Sequence, residues 1–279
     1  MLEQATTLDL KRLVELYPLS NIRGAFPALK GTKDEICSTI AEQRDYGSIV
    51  NFLDEHFSCC KQHVYVFTRE SDAEGLPATL TDASKIFGAV GEHALYVARV
   101  QYSVVLRDPL EETTLDFLWP VRVELIPNHV IARLVVLEKN LSSYFDRPSY
   151  LQARSIDEKT LLHDLDVLQI KPADLHKGIK ALWGEGFMDS IRAKYKKPIS
   201  MAQEVMDEER GIREYNPELY ETLQEVPLLN MLFVIPRDKE CSVSAFLADP
   251  GAGYLAFPRY SERKGDTDYV VRSILERNH

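Results

Sequence analysis

Val121-Arg122-Val123-Glu124-Leu125-Ile126-Pro127-Asn128-His129-Val130-Ile131-Ala132-Arg133-Leu134-Val135-Val136-Leu137 carries the strongest β signal in the chain. Two runs rich in β-branched residues flank Pro127-Asn128-His129, a turn-forming segment, so the unit reads as an antiparallel hairpin. Side chains alternate between the faces of a strand. That alternation sends Arg122, Glu124 and Arg133 to one face while valines and leucines pack the other.

Working outward, Val64-Tyr65-Val66-Phe67 and Ala94 to Leu106 have the same strand composition, and residues 71–84 read as a loop. Before residue 62 the period is helical. Leu10, Leu13, Val14 and Tyr17 follow i, i+3, i+4, i+7 spacing up to Pro18, and Pro18–Pro27 reads as a loop. Thr32-x-x-Glu35 is a capping box opening a second helix with Ile36 and Ile40 inward. A third helix is expected from about Ser48, with Ile49, Phe52, Leu53 and Phe57 on its inner face. The helical period returns over 157–226. Leu161, Leu165 and Leu168 make one stripe, and Leu175, Ile179, Leu182 and Trp183 make a second. Phe187, Met188, Ile191 and Tyr195 predict a further helix stopped by Pro198. Ser200-x-x-Gln203 reads as another capping box, and Asn216-Pro217 as an N-cap followed by proline at N1. Strands then recur at Leu229 to Ile235, Val243 to Leu247 and Tyr254 to Phe257, before a closing helix from Tyr269 to Leu275. The expected fold is α+β. A helical module over 1–62 precedes a mostly antiparallel sheet domain over 63–279, with strands at 63–140 and 228–258 and a helical insertion at 157–226.

Composition bounds the function. The 279 residues are 45% hydrophobic and 27% charged, enough to bury a real core. No apolar run reaches the roughly 18–20 residues that span a bilayer, so no membrane partner is expected. The start, Met1-Leu2-Glu3-Gln4, resembles no secretory leader, and the expected location is the cytoplasm or nucleus. Cys37, Cys59, Cys60 and Cys241 lack CxxC spacing and read as reduced thiols. A net charge of −10 argues against a protein that coats nucleic acid non-specifically, so any phosphate contact must come from a local patch.

Two basic patches stand out. Leu29-Lys30-Gly31-Thr32-Lys33-Asp34-Glu35-Ile36 resembles the second-helix start of SAP-like helix-extended-loop-helix modules, which bind DNA or RNA. The resemblance covers about the first 45 residues and implies phosphate contact by Arg23, Lys30 and Lys33 at a helix N-terminus, where the dipole favours anions. The order of a helical domain followed by a β-rich one carrying His63-Val64-Tyr65-Val66-Phe67 and Ala98-Arg99-Val100-Gln101 is also similar to the centromere protein N family, whose members bind nucleosomes and partner subunits without catalysis. The second patch is Arg192-Ala193-Lys194-Tyr195-Lys196-Lys197, with four cations to track phosphates and Tyr195 as a stacking platform. The acidic residues at 203–225 are expected either to neutralise this run or to serve a protein partner.

Catalytic signatures are sparse. Phosphate-loop, HExxH, GxSxG and EF-hand patterns are absent. Asp249 with Glu262-Arg263-Lys264 resembles the acidic residue and (D/E)xK element of restriction-like nucleases, which implies a metal-dependent nuclease or related hydrolase as the alternative. The leading expectation is a non-enzymatic binding or adaptor protein, DNA-binding or otherwise nucleic-acid-associated. It needs no cofactor and no metal, and it has nucleic acid, a protein partner or a second copy of itself as its company. A structural subunit of a protein complex is the third alternative.

Overall fold

In a computed structural model of the chain, the described residues are 2–69, 75–77, 79–80, 83–88, 93–107, 109–137, 149–153, 162–163, 165, 169–197, 200–205, 211–235 and 241–279. Four helices come first: α1 (Thr7–Glu15), α2 (Leu19–Ala25), α3 (Lys33–Gln43) and α4 (Tyr46–Glu55). Strands β1 (Gln62–Arg69), β2 (Thr79–Leu80), β3 (Ala83–Gly88), β4 (His93–Arg107), β5 (Leu110–Ile126), β6 (His129–Val135), β7 (Ser149–Ala153) and β8 (Ile170–Pro172) follow. Next come α5 (His176–Gly184), β9 (Asp189–Lys196), β10 (Met201–Val205), α6 (Ile212–Tyr215) and α7 (Pro217–Glu225). The chain closes with β11 (Leu228–Val234), β12 (Ala245–Asp249), β13 (Tyr254–Phe257) and α8 (Asp266–Glu276). The fold class is α+β with an antiparallel sheet, as the sequence predicts. No helix among the described residues is long and apolar enough to cross a membrane. The four cysteines are buried, free thiols.

The chain divides into two compact units, and the division is not a 1–62 module followed by a 63–279 body. The first holds Met1–Phe57, Glu70–Ile126 and Ala132–Ile170; the second holds Ser58–Arg69, Pro127–Ile131 and Lys171–His279. The N-terminal helices therefore share a unit with β2 to β5, and β1 belongs with the C-terminal strands.

In the first unit, α1 and α3 each begin in a complete capping box, at Thr6/Asp9 and Thr32/Glu35. The stretch read as a loop, Pro18–Pro27, instead contains α2, whose Ile22 is fully buried. Tyr17 donates its hydroxyl to the Leu53 carbonyl (3.1 Å), and Phe52 packs its ring between Tyr17 and Phe26. Strands β5 and β6 form the predicted hairpin; its turn segment, Pro127–Ile131, is assigned to the second unit, and Asn128 there lies in the left-handed region (φ 64°) as a tight turn demands. β5 starts eleven residues earlier than the quoted signal, at Leu110, and pairs with β4 from Arg107↔Leu110 to His93↔Glu124. β4 carries β3 beside its first half and β7 beside its second. The segment read as a loop at 71–84 contains β2 and the start of β3.

Arg122, Glu124 and Arg133 do share one face, yet that face is buried as well. Arg133 is 1% exposed and Glu124 4%. Glu124 receives the Arg133 Nε–H at 2.9 Å and lies 3.3 Å from Arg122 Nε. Helix α4 covers the cluster: Arg122 donates to the Asp54 carbonyl (3.4 Å), and the Asp54 carboxylate pairs with His93 at 3.2 Å.

In the second unit the strands lie in the order β10-β9-β11-β12-β13-β1. One face of this sheet holds an aromatic row in which Phe233, Phe246 and Phe257 stack at 5.5 and 5.8 Å, with Trp183 of α5 set edge-on to Phe233. Helix α8 packs beside α5. Gly253 turns β12 into β13 at φ 63°, and a Cβ there would meet the Val66 carbonyl oxygen at 2.3 Å, so this corner requires glycine. Helix α7 starts as predicted, with Asn216 as N-cap and Pro217 at N1. Residues 157–226 are helical only in part, because β8, β9 and β10 also lie there. The predicted helix through Ile191 and Tyr195 is strand β9, and the predicted capping box at Ser200 opens β10. Leu161 and Leu168 of the predicted stripe lie outside the described residues.

Candidate functional site

The basic run at 192–197 changes meaning once it is a strand. Alternation puts Arg192, Lys194 and Lys196 on one face of β9, while Ala193 and Tyr195 face the aromatic core. Tyr195 is 4% exposed, so its ring cannot serve as a stacking platform for a base. Lys197 lies just past the strand, its ammonium 5.7 Å from the Tyr195 ring centre.

Register extends the face across the sheet, because residues directly opposite one another share a face. One row reads Val205, Arg192, Leu232, Leu247, Ala256 and His63 through successive partners. A parallel row places Gln203 opposite Lys194 and Lys194 opposite Asn230, and further along it places Asp249 opposite Tyr254 and Tyr254 opposite Tyr65. Arg192 donates to Asn230 Oδ1 at 3.3 Å, which orients its guanidinium along the face. At the other end, the Tyr254 ring lies 5.0 Å from Tyr65 and 5.6 Å from His63. On this face a groove of about 660 Å³ has an apolar floor that includes Leu232, Val234 and Leu247, with Arg192 and Arg259 among its lining residues.

On the neighbouring strand β10, the described acidic residue does not share this row's face. Glu204 pairs with Ala193 and so points to the face opposite Lys194. Glu214, Glu218, Glu221 and Glu225 sit on α6 and α7, whereas Asp207, Glu208 and Glu209 lie outside the described residues. The C-terminus of α7 is closed by Lys180 of α5, which donates to the carbonyls of Gln224 (2.7 Å) and Val226 (3.0 Å). Burial lowers the pKa of that ammonium.

The N-terminal patch is differently employed. Lys33 donates to the Glu15 carbonyl at 2.7 Å, and Arg23 donates to the Gly31 carbonyl at 3.0 Å. Both cations thus clip the corner between helices, and Lys30 is left exposed. Lys11 pairs with Asp34 across the same corner.

For the nuclease alternative, Asp249 ends β12 opposite Tyr254, while Glu262 and Lys264 lie in the segment between β13 and α8. Glu262 lines a second cavity of about 430 Å³, whose walls include neither Asp249 nor Lys264. Among the described residues no three His, Cys, Asp or Glu side chains converge as a metal requires. Cys241, also on that wall, has its thiol pKa raised by burial. Sequence reasoning missed His63, Tyr65, Tyr254 and Arg259. The readable signal for the first three was alternation in β1 and β13; for Arg259 there was none. The chain matches no protein-family model, no curated protein and no solved structure.

Proposed function

We propose that this chain is a non-enzymatic binding protein whose second unit holds a single strand of nucleic acid across the cationic face of its sheet. The observation that carries this reading is the alignment of Arg192, Lys194 and Lys196 on one face of β9. That row shares its face with an apolar groove and with the rings of Tyr254, Tyr65 and His63. Cations that follow a backbone and rings that accept unstacked bases are the two components of single-strand binding. A sheet face presents them together, whereas duplex bases are already stacked on each other. The overall charge of −10 repels the ligand at long range, so affinity depends on these few contacts and on salt.

Fluorescence anisotropy with labelled single-stranded RNA and DNA ten-mers tests the reading. Three phosphate contacts give a slope of log K against log salt of about −2. Charge reversal of Arg192, Lys194 and Lys196 together is expected to abolish binding at moderate salt. Binding that ignores salt, or survives the triple reversal, rules the face out.

A second reading rests on β10, which is, among the described residues, an outer strand of the second unit's sheet and in which Met201 is 64% and Val205 62% exposed. An extended segment of a protein partner could add to such an edge, which is the adaptor function in another form. Capture of a partner that is lost on Met201→Glu, with nucleic-acid binding retained, would favour it.

A further inference from the structure

Beside the groove lies the 430 Å³ cavity, which shares lining residues with it. We infer that this cavity is a phosphomonoester subsite that receives a phosphorylated end of the bound strand, an inference that rests on the single-strand reading above. Its lining residues include two arginines, Arg259 and Arg263, and the hydroxyl-bearing Ser244 and Tyr260. Two arginines suit the fork geometry of a phosphate, and hydroxyls supply further donors. Among the described lining residues the two arginines outnumber the one carboxylate, Glu262. A dianionic phosphomonoester matches that balance better than a monoanionic diester inside a strand. The volume also exceeds what a bare phosphate fills and suits a terminal nucleotide.

The position of the cavity gives it a route. Ser244 and Arg259 line both the cavity and the groove that contains Arg192. A strand lying on the sheet face therefore reaches the cavity without leaving the surface. The Arg259 Nη1–H already reaches Ser244 Oγ at 3.4 Å on this shared wall.

The arginine-bearing segment is held in place from below. Ser242 Oγ accepts the backbone amides of Glu262 (3.0 Å) and Arg263 (3.2 Å) and lies 3.0 Å from Ser261 Oγ. The Ser242 amide in turn donates to Asp266 Oδ2 at 2.6 Å. Ser261 and Asp266 are buried, so this network fixes the loop before any ligand arrives.

The test compares ten-mers of one sequence ending in a 5′-phosphate, a 3′-phosphate or hydroxyls only, together with a titration of adenosine 5′-monophosphate followed by amide NMR. A phosphorylated end is expected to raise affinity about tenfold. Arg263→Gln, which touches the cavity and not the groove, is expected to remove that gain and leave the hydroxyl-ended strand unchanged. Equal binding of all three strands by the unaltered protein overturns the subsite and leaves the single-strand reading standing. If no strand binds, that reading fails. The monophosphate then decides the cavity: shifts at residues 259–263 uphold it, and their absence overturns it.

Discussion

Glu124 lies between two guanidinium groups where water scarcely reaches, and such a carboxylate is costly to neutralise. Taking its charge away with Glu124→Gln leaves Arg133, 1% exposed, facing Arg122 without the anion between them. The expected loss is about 3 kcal/mol of folding stability, and replacing the Glu124–Arg133 pair by Leu and Met recovers much of it. Urea midpoints of the single and double variants check this, and a single variant within about 0.5 kcal/mol of the parent would mean the cluster is not the buried unit described. Glu35 gives a pH-dependent counterpart. The Thr32 backbone amide and then the Thr32 hydroxyl hold its carboxyl below its ordinary pKa of 4.5. Ionised Glu35 thus favours the folded chain. Its contribution is complete above the ordinary value and fades as pH falls through the lowered one. The stability difference between the parent chain and Glu35→Gln should be flat above about pH 5 and shrink at lower pH; a difference that grows on acidification would contradict the capping box. Both glutamates were legible as to position, since the box spacing and the strand alternation are local. The burial of Glu124 was not, because it depends on α4 covering a face that looked solvated.

Strand β9 shows why an element can be misread. The register between β9 and β11 shifts by one residue between Leu232/Arg192 and Phe233/Ser190, leaving Ile191 as a bulge. The core-facing positions therefore run Ser190, Ala193, Tyr195 instead of every second residue. Ser190 to Ala193 is an i, i+3 step, which imitates a helix, and Ile191 and Tyr195 add an i, i+4 pair. Helix α5 had no such ambiguity: Ile179, Leu182 and Trp183 are all buried as their spacing predicts. Its packing gives a sharper test than its periodicity. A Cβ at Gly178 would meet the Ile274 carbonyl oxygen of α8 at 2.0 Å. Gly178→Ala should therefore cost about 1–3 kcal/mol despite alanine's better helix propensity. A thermal midpoint equal to the parent's would show that the two helices do not approach so closely.

At the scale of the whole chain, the fold class could be read from the sequence and the division into units could not. Each unit is assembled from separated stretches, and β1 joins strands nearly two hundred residues away, at Gln62↔Phe257 through Tyr65↔Tyr254. Local periodicity carries no record of such pairing. The same pairing creates the candidate site, since Arg192, Leu247 and His63 come into one row only through β11, β12 and β13. The sequence offers two basic patches, and geometry separates them: Lys33 and Arg23 close a helix corner, whereas Arg192, Lys194 and Lys196 line one face. Photocrosslinking of a single strand carrying 4-thiouridine, read out by mass spectrometry, compares the patches directly. Adducts are expected on Tyr65, Tyr254 or His63. Adducts confined to the corner around Lys30, with none on the sheet face, would contradict that expectation.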